Sequence, residues 1–386
     1  MESTSRIFVT TSPINVVFYL LYIQSKKNER YKDVLIICNR HMNQHSYEKL
    51  SLLASQHEWN KIIKTNDLEQ YSPHYNVTFR KRFIRKIRNY KFFQPIYNSI
   101  RSIYENNEKN QSKNWLKEKI DLPFESVEEL NLLTETSINS ALFDLFPEAK
   151  INYFEHGLSD YIMIETIPKF SNFYCLFENE FRTYFKNKEI KIPSIIPIYR
   201  NDIFNRIAAN YLYPLMNEFN EVFKSFNSST KYVLILMQDF ENLGVSSEIH
   251  VQLFNKILNY LDEFSTSVTF LIKPHPKQSS KALNEIDFFF KQAKLNFYFL
   301  NSPCFKYTSI ELFFYLIKDL TTHVFSYYSS GLFYLSKLYP DTKIKYLYTF
   351  DHILTEIDHM PKEVGAIHLS FIQNQKQLFI KNCIEF

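Results

Sequence analysis

Strand-like apolar runs alternate with helical patterns along nearly the whole chain, and this rhythm constrains the fold more than any other feature. In a first series, the runs Arg6–Thr10, Asp33–Cys38 and Val127–Leu132 are each followed by a helical pattern. Such runs carry apolar residues at consecutive positions, which is typical of strands that are buried on both faces of a parallel sheet. The alternation therefore predicts an α/β fold, with a doubly wound parallel sheet covered by helices.

A second series of the same kind begins at Tyr232–Met237. The chain has 386 residues, which exceeds the usual size of one hydrophobic core. In open α/β sheets, ligands bind beyond the carboxyl ends of the strands, so we expect the active site in a cleft between two domains. We predict an N-terminal Rossmann-like domain, an interdomain connection and a C-terminal Rossmann-like domain, with bounds 1–167, 168–229 and 230–386.

The composition is that of a globular protein, with 45% apolar and 22% charged residues. The four cysteines are scattered and form no CxxC pair, which predicts reduced thiols and a cytosolic location. The apolar run Ile14–Ile23 is too short to cross a bilayer, and we recognise no signal peptide. We therefore expect a cytoplasmic protein that contacts the inner membrane peripherally at most.

The first segment with candidate catalytic residues contains Glu155 and Gly157, directly after the apolar run Ile151–Phe154. A carboxylate at the end of a buried strand can accept a proton from a sugar hydroxyl as a general base. The same carboxylate can instead cap a neighbouring loop or form a salt bridge to it, and the sequence leaves both open. The chain has only four glycines, so Gly157 is expected where the backbone takes a positive φ or approaches a ligand closely.

A second segment, Lys273-Pro274-His275-Pro276-Lys277, follows another apolar run. The two prolines restrict the backbone on both sides of His275 and so hold its imidazole in one place. The flanking lysines suit an anion such as phosphate, and a protonated His275 can donate a hydrogen bond to a phosphate oxygen.

A third segment contains Ser329, Ser330 and Gly331 between an apolar run and a helical pattern. Serine hydroxyls and backbone N–H groups at the start of a helix can bind an anion. An ordinary serine N-cap uses the same donors, so the two interpretations are compatible. Gln238, at the end of the first apolar run of the second series, is a further candidate for the loop that meets the ligand.

Positive charge is concentrated between Arg80 and Arg101, where no acidic residue occurs. Apolar residues interleave at helical spacing, which predicts a helix with a basic outer face. This face can bind anionic lipid, hold a polyanionic acceptor or simply be solvated. No recognised nucleic-acid fold accompanies it, so we expect no nucleic-acid partner. The candidate residues are Arg82, Arg85, Lys86 and Arg88.

The three segments, in this order, resemble those of bacterial sialyltransferases, especially polysialyltransferases and related lipooligosaccharide and capsule enzymes. The opening Phe8-Val9-Thr10-Thr11-Ser12-Pro13 is similar to their first strand and loop. The resemblance implies a GT-B fold and CMP-sialic acid as the donor, with the acceptor bound by the N-terminal domain and the donor by the C-terminal domain. It also implies that Glu155 is the base, His275 the acid that assists CMP departure, and Ser329 and Ser330 phosphate ligands. This sequence departs from many relatives at His156, where they carry a second acidic residue.

No Asp-X-Asp pattern lies at a strand end, and no cluster of His, Cys and Asp has the spacing of a metal site, which predicts a metal-independent inverting transferase. Lys273, Pro276, Gly157 and Gly331 complete the predicted donor-binding set. One alternative is a transferase that uses another donor such as CMP-Kdo. Another is a non-catalytic protein of capsule assembly that binds polyanions or membranes through the basic segment.

Overall fold

A computed structural model describes the chain over most of its length. The described residues are 4–26, 31–38, 44–65, 110–122, 126–133, 138–157, 172–185, 194–223, 231–239, 248–261, 267–327, 329–341, 343–350, 353, 369, 372–373, 376 and 378–386.

The first unit contains a seven-stranded parallel sheet with the order β3-β2-β1-β4-β5-β6-β7. Its strands are β1 (Ser5–Thr10), β2 (Lys32–Ile37), β3 (Lys61–Lys64), β4 (Val127–Leu132), β5 (Lys150–Phe154), β6 (Asn172–Cys175) and β7 (Ser194–Pro197). The helices described in this unit are α1 (Pro13–Ser25), α2 (Gln44–Ala54), α3 (110–120) and α4 (Asn139–Leu145). The strand order reverses between β1 and β4, as in a doubly wound sheet.

The second unit contains a six-stranded parallel sheet with the order β10-β9-β8-β11-β12-β13. Its strands are β8 (Lys231–Leu236), β9 (Val268–Lys273), β10 (Phe297–Phe299), β11 (Thr321–Ser326), β12 (Lys345–Tyr348) and β13 (Ile384–Glu385). The helices described here are α5 (Glu178–Phe185), α6 (Asn201–Leu212), α7 (Met216–Phe223), α8 (Glu248–Leu261), α9 (Ser280–Gln292), α10 (Pro303–Lys306), α11 (Ile310–Ile317) and α12 (Ser330–Leu338). The order reverses between β8 and β11. The predicted fold class of two Rossmann-like units is thus confirmed.

The division of the chain between the units differs from the predicted bounds. Strands β6 and β7 pair with the first sheet, although the sequence assigned their residues to an interdomain connection. The first unit comprises 1–156, 166–176 and 191–198, and the second comprises 157–165, 177–190 and 199–386. Both strands are only four residues long. β7 ends at Pro197, and so short a run that ends at a proline has a weak strand pattern.

The central strands are buried on both faces, which explains why their sequences are apolar at consecutive positions. All six residues of β1 and of β9 are buried. Helix α1 contains no charged residue, and its residues from Asn15 to Tyr22 are all buried. Inside it, Tyr19 packs edge-on against Phe8 of β1 and against Phe154 of β5. This packing fixes the start of α1 relative to the end of β5.

A buried ion pair lies near the amino ends of β1 and β2. Arg6 donates from Nε and Nη2 to the two carboxylate oxygens of Asp33, at 2.8 and 2.9 Å. His57 Nε2 lies 2.8 Å from Asp33 Oδ2, and the guanidinium lies 4.0 Å from the ring centroid of Tyr31. Burial acts to raise the pKa of Asp33, but the hydrogen bonds from His57 and Arg6 outweigh it and lower the pKa. This end of the first sheet therefore holds a buried guanidinium that is paired with a carboxylate through Nε and Nη2.

Candidate active site

Each of the three predicted segments directly follows the carboxyl end of a strand. Glu155 follows β5, His275 lies just beyond β9, and Ser329 lies just beyond β11. The first belongs to the first unit, and the other two belong to the second unit. The carboxyl ends of parallel strands are where ligands bind in this fold class, so the predicted side chains lie at the functional edge of their sheets.

Glu155 is fully buried, and its carboxylate contacts the neighbouring strand end. Its Oε2 accepts a hydrogen bond from the backbone N–H of Leu176 at 2.8 Å. Its own N–H donates to the carbonyl of Tyr174 in β6 at 2.9 Å. These bonds join the ends of β5 and β6, which agrees with the alternative of a loop-capping carboxylate. The role of Glu155 as a base stays a prediction.

His156, the next residue, is partly exposed and contacts Asn15 of helix α1. Its Nδ1 lies 3.1 Å from Asn15 Nδ2 and 3.3 Å from Asn15 Oδ1. Asn15 is fully buried, and its Oδ1 accepts from Ser12 Oγ at 2.7 Å. Asn15 was not predicted as a site residue, because its contact lies 141 residues away along the chain. A polar residue in the first turn of an otherwise apolar helix was the available signal.

His275 is partly exposed in the turn after β9. Its Nδ1 accepts the backbone N–H of Lys277 at 3.3 Å and lies 4.0 Å from Asp239 Oδ2. Burial lowers the pKa of His275 to about 4; Asp239 opposes this, whereas Lys277, Lys273 and Lys306 reinforce it. A ring with this pKa is neutral near pH 7, whereas a protonated ring was the expectation from the sequence, and the role of His275 as the acid stays a prediction. Because its Nδ1 accepts a hydrogen bond, the neutral ring carries its proton on Nε2.

Lys273, the last residue of β9, is buried, and its ammonium group points to the main chain. Its Nζ donates to the carbonyl of Lys306 at 2.8 Å. Burial lowers its pKa to about 7, which the charge of Glu311 opposes and that of Lys306 reinforces. Its predicted contact with a donor anion stays a prediction. Pro276, by contrast, is exposed.

The serine turn after β11 is an N-cap. Ser329 Oγ accepts the N–H of Gly331 at 3.2 Å, and the Ser329 N–H donates to Ser326 Oγ at 3.4 Å. Ser326 is fully buried, and its hydroxyl donates to the carbonyl of Leu236 at 3.0 Å. Ser326 thus connects the turn by hydrogen bonds to the end of β8, the strand next to β11. Ser330 opens helix α12 and is partly exposed, as is Gln238 beyond β8.

The two glycines of the predicted donor-binding set differ in their surroundings. A Cβ at Gly331 would lie 2.9 Å from Ile310 Cγ2 and 3.6 Å from Leu236 Cδ1. Gly331 is therefore required by close packing inside the second unit. A Cβ at Gly157 would meet no atom within 4 Å, and its φ is not positive. The expected left-handed φ is absent at Gly157, and the alternative of a close approach to a ligand stays a prediction.

The four basic candidates Arg82, Arg85, Lys86 and Arg88 lie outside the described residues. Among the residues that are described, no group of three or more His, Cys, Asp or Glu side chains is placed to hold a metal ion. Within the same part of the chain, no helix combines the length and the apolar character needed to span a bilayer. The four cysteines are free thiols, and three of them are buried.

The family model of alpha-2,8-polysialyltransferases matches residues 6–348, which is most of the chain. The chain belongs to this polysialyltransferase family. The match contains all three strand-end segments, so the features identified in the two sheets lie within the part that defines the family. Membership supports sialyl transfer as the chemistry of the protein, with a sugar nucleotide as the donor and a glycan as the acceptor. A comparison with curated protein sequences finds no significant match.

Solved structures with a similar fold include two sugar-nucleotide epimerases. The UDP-GlcNAc 2-epimerase of Methanocaldococcus jannaschii is 12% identical, with a TM-score of 0.52, over 90% of this chain and 84% of that one. The enzyme of Neisseria meningitidis is 11% identical, with a TM-score of 0.51, over 85% and 79%. An α-2,3-sialyltransferase of Photobacterium phosphoreum is 11% identical, with a TM-score of 0.47, over 100% and 98%. At these identities the epimerase matches show the fold alone: this polysialyltransferase-family chain has the two Rossmann-like units of GT-B proteins.

Proposed function

We propose that the chain transfers sialic acid from CMP-sialic acid to a glycan hydroxyl, with inversion at the anomeric carbon and without a metal ion. The proposed setting is the synthesis of polysialic acid capsule or lipooligosaccharide in the cytoplasm, in peripheral contact with the inner membrane. Family membership over residues 6–348 supports the sialyl transfer. The observation that carries the donor assignment is the turn after β9, where prolines bracket a neutral His275 among lysines.

In the proposed reaction, the bond between the anomeric carbon and a phosphate oxygen of CMP breaks. The acceptor hydroxyl oxygen forms a new bond to that carbon, and its proton passes to a base. CMP departs with the bonding electron pair as a phosphate monoester. Because the second pKa of such a monoester is about 6, the leaving group is stable at pH 7 without receiving a proton. A hydrogen bond from the neutral His275 Nε2–H is therefore sufficient to stabilise it.

The serine turn supplies the remaining proposed phosphate contacts. The Oγ of Ser329 accepts the Gly331 N–H through a lone pair, and its hydroxyl hydrogen can still donate to a phosphate oxygen. Ser330 adds a second hydroxyl at the start of α12, where the backbone N–H groups also favour an anion. Lys273, Pro276, Gln238 and Gly157 complete the proposed donor-binding set.

The base of the proposed reaction is Glu155, and its present bond to the Leu176 N–H gives a precise way to test it. A glutamine has the same shape and can still accept that N–H through its carbonyl oxygen, but it cannot take a proton. Glu155→Gln therefore separates the base from a residue that only joins β5 to β6. Glu155→Ala removes both functions.

The experiment measures transfer from CMP-sialic acid to oligosialic acid and to a lactoside, in EDTA, for wild type, Glu155→Gln, Glu155→Ala, His275→Ala and His275→Gln. We expect wild-type transfer in EDTA, and losses in kcat of about 10²–10⁴-fold for Glu155→Gln and for His275→Ala. His275→Gln should retain part of the activity, because its amide N–H replaces the Nε2 donor. Circular dichroism and thermal unfolding establish that each variant is folded.

Three outcomes would overturn parts of the proposal. An active Glu155→Gln variant would leave Glu155 with the structural role alone. Activity that vanishes in EDTA and returns with a divalent cation would remove the metal-independent mechanism. Failure of the wild type to release CMP from CMP-sialic acid, together with turnover of CMP-Kdo, would replace the donor.

A further inference from the structure

The contact between Asn15 and His156 belongs to the first unit, and it joins the starts of two loops at the carboxyl edge of the sheet. Asn15 lies in the first turn of α1, just after β1, and His156 lies just after β5. Asn15 is fully buried, whereas the imidazole is partly exposed. A buried amide thus holds a ring that borders solvent at the edge where ligands bind in this fold.

The orientation of the Asn15 amide follows from the donors around its oxygen. Oδ1 accepts from Ser12 Oγ at 2.7 Å, from Thr11 Oγ1 at 3.3 Å and from the Thr11 backbone N–H at 3.4 Å. The backbone N–H can only donate, so this face of the amide must be the oxygen. An amide oxygen has two lone pairs, and these three donors already occupy them.

The same geometry fixes the tautomer of His156. Since Asn15 Oδ1 is occupied, Asn15 Nδ2–H is the group that faces His156 Nδ1 at 3.1 Å, and it donates to the ring. The Nδ1 lone pair is therefore used, and the neutral ring carries its proton on Nε2. Ser12 contributes directly, because its hydroxyl donates to Asn15 instead of accepting from the first turn of α1 as an N-cap serine usually does.

We propose that His156 is a hydrogen-bond donor to the acceptor sugar through Nε2–H, and that Asn15 is the positioning residue that sets this tautomer. The inference rests on the proposed function, and it names the chemistry of the acceptor: an oxygen with lone pairs, either a carboxylate or a hydroxyl. A ring with its proton on Nε2 cannot take a proton at that atom, so His156 is not the base. His156 binds the acceptor, and the proton of the acceptor hydroxyl passes to another group.

The first test compares His156→Gln with His156→Leu, using oligosialic acid as the carboxylate-bearing acceptor and a lactoside as the neutral one. Leucine removes the donor, and we expect the acceptor KM to rise about 10-fold or more while kcat changes by less than about 3-fold. Glutamine places an N–H near the position of Nε2, so it should restore most of the acceptor affinity. A KM effect confined to oligosialic acid identifies the carboxylate as the contact, and an equal effect on both acceptors identifies a hydroxyl.

The second test observes the tautomer directly by ¹⁵N NMR of protein labelled on histidine, with the His156→Gln spectrum assigning the signals. Wild type should show a protonated Nε2 and an unprotonated Nδ1. In Asn15→Asp the carboxylate requires a donor, so Nδ1 should become protonated. An Nδ1–H tautomer in the wild type would overturn the positioning role of Asn15.

The inference is also overturned if His156→Leu lowers kcat about 100-fold at unchanged acceptor KM, which is the behaviour of a base. Release of CMP from CMP-sialic acid by the wild type keeps this failure distinct from a failure of the proposed function. If the wild type releases CMP and transfers sialic acid normally but the acceptor KM of His156→Leu is unchanged, the inference fails alone. If the wild type releases no CMP, the proposed function fails.

Discussion

Two buried basic residues, Arg6 and Lys273, lie at opposite ends of the strands in their respective sheets, and the charge of each is compensated in a different way. Arg6 lies near the amino end of β1 and forms two hydrogen bonds to the carboxylate of Asp33. Lys273 closes the carboxyl end of β9 and donates to a neutral backbone carbonyl. Burial acts to lower both pKa values, but Asp33 reverses its effect on Arg6, and Lys273 is left near 7.

The difference agrees with a stabilising role for the pair at the amino end of the first sheet and with the proposed ligand site at the carboxyl end of the second. A buried charge paired with a carboxylate stabilises the fold only while both partners are present. A buried ammonium without such a pair is costly in the free protein, and an anion that binds nearby can lower that cost. Perturbed pKa values concentrate at functional sites for this reason. Lys273 lies beside the His275 turn and Arg6 does not, which agrees with the proposed donor site.

The largest expected effect on stability is at the buried pair of Arg6 and Asp33. Asp33→Ala leaves Arg6 buried without its carboxylate, so the free energy of unfolding should fall by about 3–5 kcal/mol. Urea denaturation, followed by the fraction of folded protein, measures this change in the free energy of unfolding. Arg6→Met with Asp33→Ala is the matched control: removing both charges should recover part of the loss. If Asp33→Ala costs less than about 1 kcal/mol, the paired edge is not the more stabilising one.

The next prediction compares two glycines that both lie just beyond the carboxyl ends of strands. Gly331→Ala places a methyl group 2.9 Å from the Cγ2 of Ile310, a stiff β-branched side chain. We expect a loss of about 1–3 kcal/mol in unfolding free energy from overpacking. Gly157→Ala is the control, because its new methyl group meets no atom within 4 Å. Thermal unfolding should place Gly157→Ala close to wild type, and a Gly157→Ala variant as unstable as Gly331→Ala would contradict this.

The smallest effect concerns the pH dependence of stability. The pKa of Lys273 is about 7 in the folded chain and about 10.4 when unfolded, so between these values the unfolded chain binds more protons. Stability should therefore rise with pH from about 7 to 10 through Lys273, by about 3 kcal/mol at most, a limit that relaxation and water penetration around the ammonium reduce. Lys273→Met should lack this rise and should match or exceed wild-type stability at pH 7. Urea titrations of both proteins at pH 7 and pH 9.5 measure the difference, and parallel pH curves would show that Lys273 is not buried as a strained cation.

The sequence predicted most of the fold because the central strands are long, apolar and followed by helices. Val127–Leu132 coincides with β4, and the runs at β1, β2, β8 and β9 differ from the strands by a residue or two. The structure places β6 and β7 in the first sheet, whereas the predicted connection covered their residues, because strands of only four residues leave a short pattern in the sequence. β7 also lies at the edge of the sheet and ends at a proline, which weakens its strand pattern further.

The site was predicted by position but not by side-chain environment. Glu155, His275 and Ser329 all lie at strand ends as expected. Spacing along the chain does not reveal that Glu155 accepts from Leu176, that Lys273 donates to Lys306, or that Asn15 meets His156. These contacts depend on which strand ends become neighbours, and the strand order fixes that only after folding.

The interleaving of the two units along the chain affects the order in which they can be completed during translation. Strands β1 to β5 leave the ribosome first and can pair at once, but the first sheet receives β6 and β7 only after part of the second unit has been made. A stop after residue 167 would thus release a sheet with an uncovered β5 edge, which is prone to pair with other chains. A shortened protein that keeps the first unit whole must extend at least through 198.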